Sequence, residues 1–423
     1  VYGVMVRSPH AHAEIVSCDT SAAARAKGVL GVYTSADLEA AGIGAIPSFT
    51  RTPPYQLFNT DGSEMADASQ YPLARGRVRY YGEPVAMVVA DSVAAARDGA
   101  ELVDVTYREL AAVASIDAAR DDTAPLIWPE LSSNRSCFWE TGDAGAADAL
   151  FRGAAHVVRT TVTYPRAIIA FMEPRSAVAQ FDEEGGRYII ETGCQCAHWL
   201  QDSLALVLDV PLSSVRVIVP DTGGGFGARA LIYPEFVCAL FAARALGRPV
   251  KWTAERTESF ATDVQARSQR TTAELALDED GAFLAVRYQV TWCHGGYLAP
   301  RSAFVVLSAM PPMGCGPYRI KAQHFAFEGV FTTTMPLGSY RGVGRSEAGY
   351  VLERLVDAAA RQTGIDATDL RRRNLIAPDD MPFASAAGLT YELALFEHNF
   401  DAALNAVDAP GFEQRRKKAA RNG

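Results

Sequence analysis

The chain has 423 residues, of which 49% are hydrophobic and 21% charged, and carries a formal net charge of −9. That length predicts two or three globular domains. Without a basic stripe or aromatic–basic interleaving, a nucleic-acid partner is excluded. No apolar run reaches membrane-spanning length, which argues against a membrane span.

The seven cysteines (18, 137, 194, 196, 238, 293 and 315) are scattered and odd in number. This usage predicts a reducing, cytoplasmic compartment. Cys194-x-Cys196 has no second pair or histidine cluster nearby, and His10-x-His12 is an isolated pair. Both are read as structural, and no spacing suits an iron–sulfur cluster. Position 1 is Val, not Met, and strand-like residues begin at once. Both ends are read as cut, or as those of one piece of a split subunit.

Residues 1–118 read as an α/β unit. Strand-like Val29 to Tyr33 precedes a capped helical turn at Ser35-Ala36-Asp37-Leu38. Residues 41–75, rich in Pro, Gly, Ser and Thr, form an irregular excursion. The apolar run Val85 to Ala90 predicts a strand, Asp91 or Ser92 caps an Ala-rich helix to about Leu102, and strand Val103 to Tyr107 closes a βαβ-like order. Residues 119–134, with Asp121-Asp122, two prolines, Ser132-Ser133 and Asn134, have linker composition. From 135 to 423 strands and helices alternate. Val157 to Tyr164 alternates like a strand. Cys196 to Leu208 carries a helical stripe at 200, 204, 207 and 208. Ser346 is placed as the cap of a helix with apolar positions 351, 352, 355, 356 and 359, stopped by Gly364. Asp366 starts a short helix with Arg371-Arg372-Arg373, read as a solvated face, a carboxylate partner or a subunit contact. Arg415-Arg416-Lys417-Lys418 reads as exposed.

The chemistry concentrates at Gly223-Gly224-Gly225-Phe226-Gly227. This loop lies between the β-branched run Val215 to Val219 and a helix predicted from Tyr233 to Leu246. Glycines there let bare N–H groups approach a ligand, and Phe226 is the one side chain pushed into a site. A strand–glycine loop–helix unit can hold a polyanion. It is not a Walker loop, because Ala228-Arg229-Ala230 replaces the terminal Gly-Lys-Ser/Thr. A dinucleotide fingerprint also needs an acid about 20 residues on, which is missing.

Several ordered stretches resemble the molybdenum-binding subunit of the xanthine dehydrogenase, aldehyde oxidase and aerobic carbon monoxide dehydrogenase family. Ser8-Pro9-His10-Ala11 and Tyr81-Gly82-Glu83-Pro84-Val85-Ala86 are similar to its α/β hammerhead domain. Met172-Glu173-Pro174-Arg175, Gln195, the glycine loop, Gly316-Pro317-Tyr318-Arg319 and Tyr340-Arg341-Gly342-Val343-Gly344-Arg345 are similar to its first molybdopterin-binding domain. The resemblance implies a mixed α/β (α+β) fold with a hammerhead at 1–118 and a first molybdopterin-binding domain at 135–423, the second such domain being absent.

It also implies oxidative hydroxylation of a substrate carbon with oxygen drawn from water. The cofactor would be molybdenum–molybdopterin, as the cytosine dinucleotide in a bacterium. Electrons would leave through a 2Fe-2S small subunit and an FAD-binding medium subunit. Gln195, Gly224, Gly225, Phe226, Gly227 and Arg341 would bind the cofactor. Phe226, Ala230, Tyr297, Arg341 and Gly342 would line the substrate pocket, with no direct metal ligand from the protein. Glu173 and Arg175 are expected to pair with each other, and His294 to be structural.

Three departures narrow this. Carbon monoxide dehydrogenases carry a copper-binding cysteine where this chain has Gly342, so a soft ligand for copper is missing. Purine-oxidising members place a glutamate where Ala230 stands. The family's general-base glutamate follows a glycine late in the second molybdopterin domain, whereas Gly82-Glu83 belongs to the hammerhead. The catalytic base is therefore expected elsewhere, in a second molybdopterin domain or subunit, and this chain alone is expected to be inactive. The implied substrate is an N-heteroaromatic ring or an aldehyde. The alternatives are a carbon monoxide dehydrogenase-like enzyme and a non-catalytic scaffold paralogue.

Overall fold

The strand Pro84–Ala90 is buried at every residue. A run without a polar side chain is stable only inside a covered sheet. It pairs antiparallel with Tyr2–Arg7 on one side and Val29–Thr34 on the other. A computed structural model describes residues 1–51 and 54–421. Two positions of the excursion at 41–75, residues 52 and 53, lie outside the described residues, as do 422 and 423.

The sheet has seven strands, in the order Val215–Ile218, Arg187–Glu191, Ser176–Asp182, Val250–Thr253, Tyr2–Arg7, Pro84–Ala90, Val29–Thr34. Tyr2–Arg7 runs parallel to Val250–Thr253, with Tyr2 opposite Lys251 and Gly3 opposite Trp252. The N-terminal segment thus shares one sheet with residues from beyond 135. The helix Pro234–Leu246 packs on this sheet, and most of its side chains are buried.

The βαβ-like order expected near residue 100 is not formed. Helix Val93–Glu101 is present and Ser92 accepts from the Ala95 N–H at 3.2 Å. The following strand Asp104–Glu109, however, joins a separate three-stranded sheet, antiparallel to Ala13–Asp19. Its Asp104, Arg108 and Glu109 are exposed. Such a strand cannot sit beside a fully buried one without desolvating charge.

A five-stranded sheet forms the second layer, in the order Arg135–Gly142, Ala322–Phe331, Phe283–Gly295, Gln265–Leu277, His156–Ile168. Helix Arg345–Thr363 covers it through Val351, Leu352, Leu355, Val356 and Ala359, the expected stripe. Its N-cap is Gly344, not Ser346, whose hydroxyl lies inside the first turn and donates to the Gly342 carbonyl at 3.1 Å. Helix Ser35–Ala40 is capped, as expected, by Thr34, which donates its N–H and hydroxyl to the Asp37 carboxylate. Arg371 and Arg372 have carboxylate partners, Glu353 and Asp357 for the first, Glu397 and Asp401 for the second. No helix among the described residues is long and apolar enough to cross a membrane.

The two layers position the candidate site. The edge strand Val215–Ile218 of the first sheet runs into the glycine loop. The second loop, Tyr340 to Gly344, enters the helix that covers the second sheet.

Candidate functional site

The glycine loop is fixed at both ends by side chains. At its start, the Gly223 N–H donates to Glu173 Oε2 at 2.7 Å, and the Glu173 N–H donates to the Gly223 carbonyl at 3.2 Å. At its end, the Gly227 N–H donates to Gln195 Oε1 at 2.7 Å. Between these anchors, the N–H groups of Gly224, Gly225 and Phe226 meet no acceptor among the described residues. Successive free amides form a concave positive surface suited to an anion.

Gln195 is oriented by the same contact. With Oε1 occupied by Gly227, its Nε2 faces away and bonds to no described residue. An uncharged donor is thereby presented beside the free amides. Gln195 is not a helix cap, since Cys196 takes that position ahead of Ala197–Leu208.

Phe226 has φ +51° and is 43% exposed. Left-handed backbone at a non-glycine residue is strained and persists only where neighbours enforce it. The neighbour here is the second loop, whose Arg341 N–H donates to the Phe226 carbonyl at 2.9 Å. A Cβ on Gly227 would lie 2.6 Å from the Ser339 carbonyl oxygen, so this close approach needs glycine.

Two arginines that sequence reasoning did not assign hold this arrangement. Arg229 is buried, donates to Glu173 Oε2 at 2.5 Å, also bonds the Glu173 carbonyl, and lies over the Phe171 ring at 4.5 Å. Its own carbonyl accepts the Gln195 N–H at 3.0 Å. Arg229 therefore ties both anchors together, and its guanidinium holds the Glu173 carboxyl below the usual range. A lone charge in the run Ala228 to Ile232 was the available signal. Arg267 lies in strand Gln265–Leu277 at a local kink, with φ +67° there and +48° at Ser268, where the pairing skips one position without a change of register. It donates to the Arg341 carbonyl at 2.9 Å and pairs with buried Glu347. Arg341 is thus held on both sides of its peptide, while its guanidinium is exposed.

Other expectations are redrawn. Glu173 and Arg175 do not pair with each other. Arg175 is buried and finds the equally buried Glu235 and Asp263, at 2.8 and 2.5 Å, whereas Glu173 stays half exposed at the loop. Burial pushes the Glu235 carboxyl up, but Arg175 and Arg7 outweigh it and hold the acid low. Tyr297 does not join the loop cluster. Its hydroxyl donates to Glu83 Oε1 at 2.5 Å and neighbours Arg79 and Trp128. Its ring is buried, and its hydroxyl gives buried Glu83 a second donor beside the Arg79 main-chain N–H, which bonds Oε2 at 2.6 Å. Burial pushes the Glu83 carboxyl up to about 7, against the bonds from Tyr297 and Arg79. His294 is buried, with both ring nitrogens unbonded among the described residues, and burial lowers its pKa to about 3. Ala230 ends the short turn Ala228–Ala230 after the loop, and Gly342 follows Arg341 with φ +78°.

Comparison with known proteins fits this geometry. Residues 128–375 match the model of the molybdopterin cofactor-binding domain, and residues 1–111 that of the aldehyde oxidase and xanthine dehydrogenase a/b hammerhead domain. The nicotine 6-hydroxylase large subunit of Paenarthrobacter nicotinovorans is 33% identical, over 100% of this chain and 50% of that protein. The carbon monoxide dehydrogenase large chain of Afipia carboxidovorans is 32% identical, over 98% of this chain and 51% of that protein. The crystal structure of quinoline 2-oxidoreductase from Pseudomonas putida 86 superposes with a TM-score of 0.90 at 33% identity, over 100% of this chain and 52% of that chain. The chain spans about half the length of the relatives it matches. With its paired loops and its matched domains, it belongs to the molybdenum hydroxylase large-subunit family, the xanthine dehydrogenase and aldehyde oxidase group of molybdopterin-binding oxidoreductases.

Proposed function

We propose that this chain supplies one wall of the active site of a molybdenum hydroxylase that oxidises a ring carbon of an N-heteroaromatic compound or an aldehyde. The observation that carries this reading is the contact between Phe226 and Arg341, which joins an exposed aromatic ring to a loop ending at a helix N-terminus. When bound, a molybdenum–molybdopterin cofactor supplies the two-electron oxidation and an oxygen atom that originates in water. The residues present fit such a group. The free amides of Gly224, Gly225 and Phe226 and Nε2 of Gln195 would donate to its electron-rich side. Arg341 and the amides at the start of helix Arg345–Thr363 would face it from the second loop.

The substrate would stack beside Phe226 with the ring to be oxidised turned to the loops. Ala230 offers no carboxylate for a purine. Gly342 offers no thiolate, and its φ of +78° disfavours any side chain there. Both features support an apolar heterocycle or aldehyde over xanthine or carbon monoxide. The proton-accepting glutamate is assigned outside this chain, to a second molybdopterin domain or subunit. The cofactor is proposed as the cytosine dinucleotide, the electron path as 2Fe-2S and FAD partner subunits, and the location as the cytoplasm.

The test is turnover by the complete complex purified from its native host. Molybdenum should be bound, and quinoline or benzaldehyde should reduce an artificial acceptor while carbon monoxide does not. Complex free of molybdenum would favour a non-catalytic paralogue, and carbon monoxide turnover would overturn the argument from Gly342.

A further inference from the structure

Arg301 is the most unusual cation in the molecule outside the two loops. It is 4% exposed, yet among the described residues its guanidinium has no carboxylate partner and its Nε meets no acceptor. Three aromatic rings surround it instead, with Phe49, Tyr55 and Trp199 centroids 3.9, 4.9 and 4.9 Å from the guanidinium carbon. Aromatic faces offset part of the cost of desolvating a cation, but they satisfy none of its N–H donors.

The backbone is bent to keep it there. Arg301 has φ +57° and Phe49 has φ +65°, so two non-glycine residues in left-handed backbone flank the same spot. The Arg301 N–H donates to the Ser48 carbonyl at 3.1 Å, which locks the two segments together. Strain of this kind is retained where a structure holds side chains for a ligand.

A cleft of about 640 Å³ opens beside this cage. Tyr55, Leu206, Val210 and Pro211 give it apolar walls, and Asp202 and Asp209 also line it, neither of them paired with Arg301. Each feature restricts what could bind. An unpaired guanidinium calls for an anion, and its planar fork matches a carboxylate. Apolar walls call for an apolar body. Two aspartates disfavour a polyanion, so phosphates and nucleotides fit poorly.

We propose that Arg301 heads a second binding site, distinct from the two-loop site, for a small apolar monocarboxylate. The carboxylate would accept from the guanidinium and the hydrocarbon body would lie in the cleft against Tyr55 and Leu206. The proposal is independent of the chemistry at the glycine loop.

Benzoate is the probe, titrated into the assembled protein and followed by calorimetry and by Trp199 fluorescence. Wild-type protein should bind it saturably, while benzamide, its uncharged analogue, and inorganic phosphate should bind about tenfold more weakly or not at all. Arg301→Gln should weaken benzoate by about tenfold or more. Leu206→Trp fills the cleft from a half-exposed helix position and should block benzoate while leaving the melting temperature unchanged, which decides the matter if Arg301→Gln fails to fold. Absence of saturable binding to wild type, equal binding of benzamide, or benzoate binding that survives Leu206→Trp would overturn the site.

Discussion

The main-chain N–H of Arg341 donates to the carbonyl of Phe226 at 2.9 Å, and this bond seats one loop against the other. Gly227 lies at the seam, with a Cβ position 2.6 Å from Ser339 O and φ of +101°. Gly227→Ala should therefore separate the loops. We expect a stability loss of about 1–3 kcal/mol in denaturant unfolding, and a larger proportional fall in molybdenum content of the assembled complex.

Gln195 has two jobs that substitution can separate. Glutamate at this position could still accept the Gly227 N–H but would lose the outward donor. Gln195→Glu should leave the loop in place and lower kcat/KM by roughly 10- to 100-fold, the range for one hydrogen bond to a charged group. Gln195→Ala should in addition loosen the loop, seen as faster amide exchange at Gly227. Full activity in Gln195→Glu would remove the donor from the mechanism.

Glu173 links the loop to pH. Its carboxyl is held low in the folded chain, chiefly by the hydrogen bond from Arg229, against about 4.3 when unfolded. A depressed acid contributes its full stabilisation above the unfolded value and loses it as pH falls through the folded one. Protection of the Gly223 amide should thus decline on the acid side in wild type. In Glu173→Gln, hydrogen exchange at Gly223 should be independent of this titration.

Glu83 behaves in the opposite sense. Burial raises its carboxyl to about 7, so the folded chain holds a proton that the unfolded chain releases near 4.3. Its contribution is least unfavourable below the unfolded value, worsens as pH rises toward 7, and then levels off. Glu83→Gln keeps the neutral shape. It should melt higher than wild type at pH 8, by on the order of 3 kcal/mol of stability at most, and match it near pH 4. Equal melting temperatures at both pH values would refute the buried neutral acid.

Local chemistry made the loops readable in advance. The glycines and the lone Phe226 mark a loop of close backbone approach in five consecutive letters, and the helices facing each sheet show their stripes. What sequence did not reveal depends on distant partners. Glu173 and Arg175 stand two positions apart, and only the fold decides that one meets Arg229 and the other Glu235. Arg267 resembles any strand arginine until the left-handed backbone at 267 and 268 brings it to Arg341. Asp104–Glu109 follows its helix as a βαβ strand would, and only the burial of Pro84–Ala90 excludes it from that sheet. The partner of Tyr297 was hidden for the same reason, since Glu83 lies far away in sequence.

The parallel pairing of Tyr2–Arg7 with Val250–Thr253 also sets an order of events during synthesis. Tyr2 lies opposite Lys251 and Gly3 opposite Trp252, each pair about 250 positions apart. At 5–20 residues per second a ribosome needs roughly 12–50 seconds to deliver that partner. Throughout this interval the flank of Tyr2–Arg7 opposite Pro84–Ala90 stands unpaired, as an open strand edge on the nascent chain.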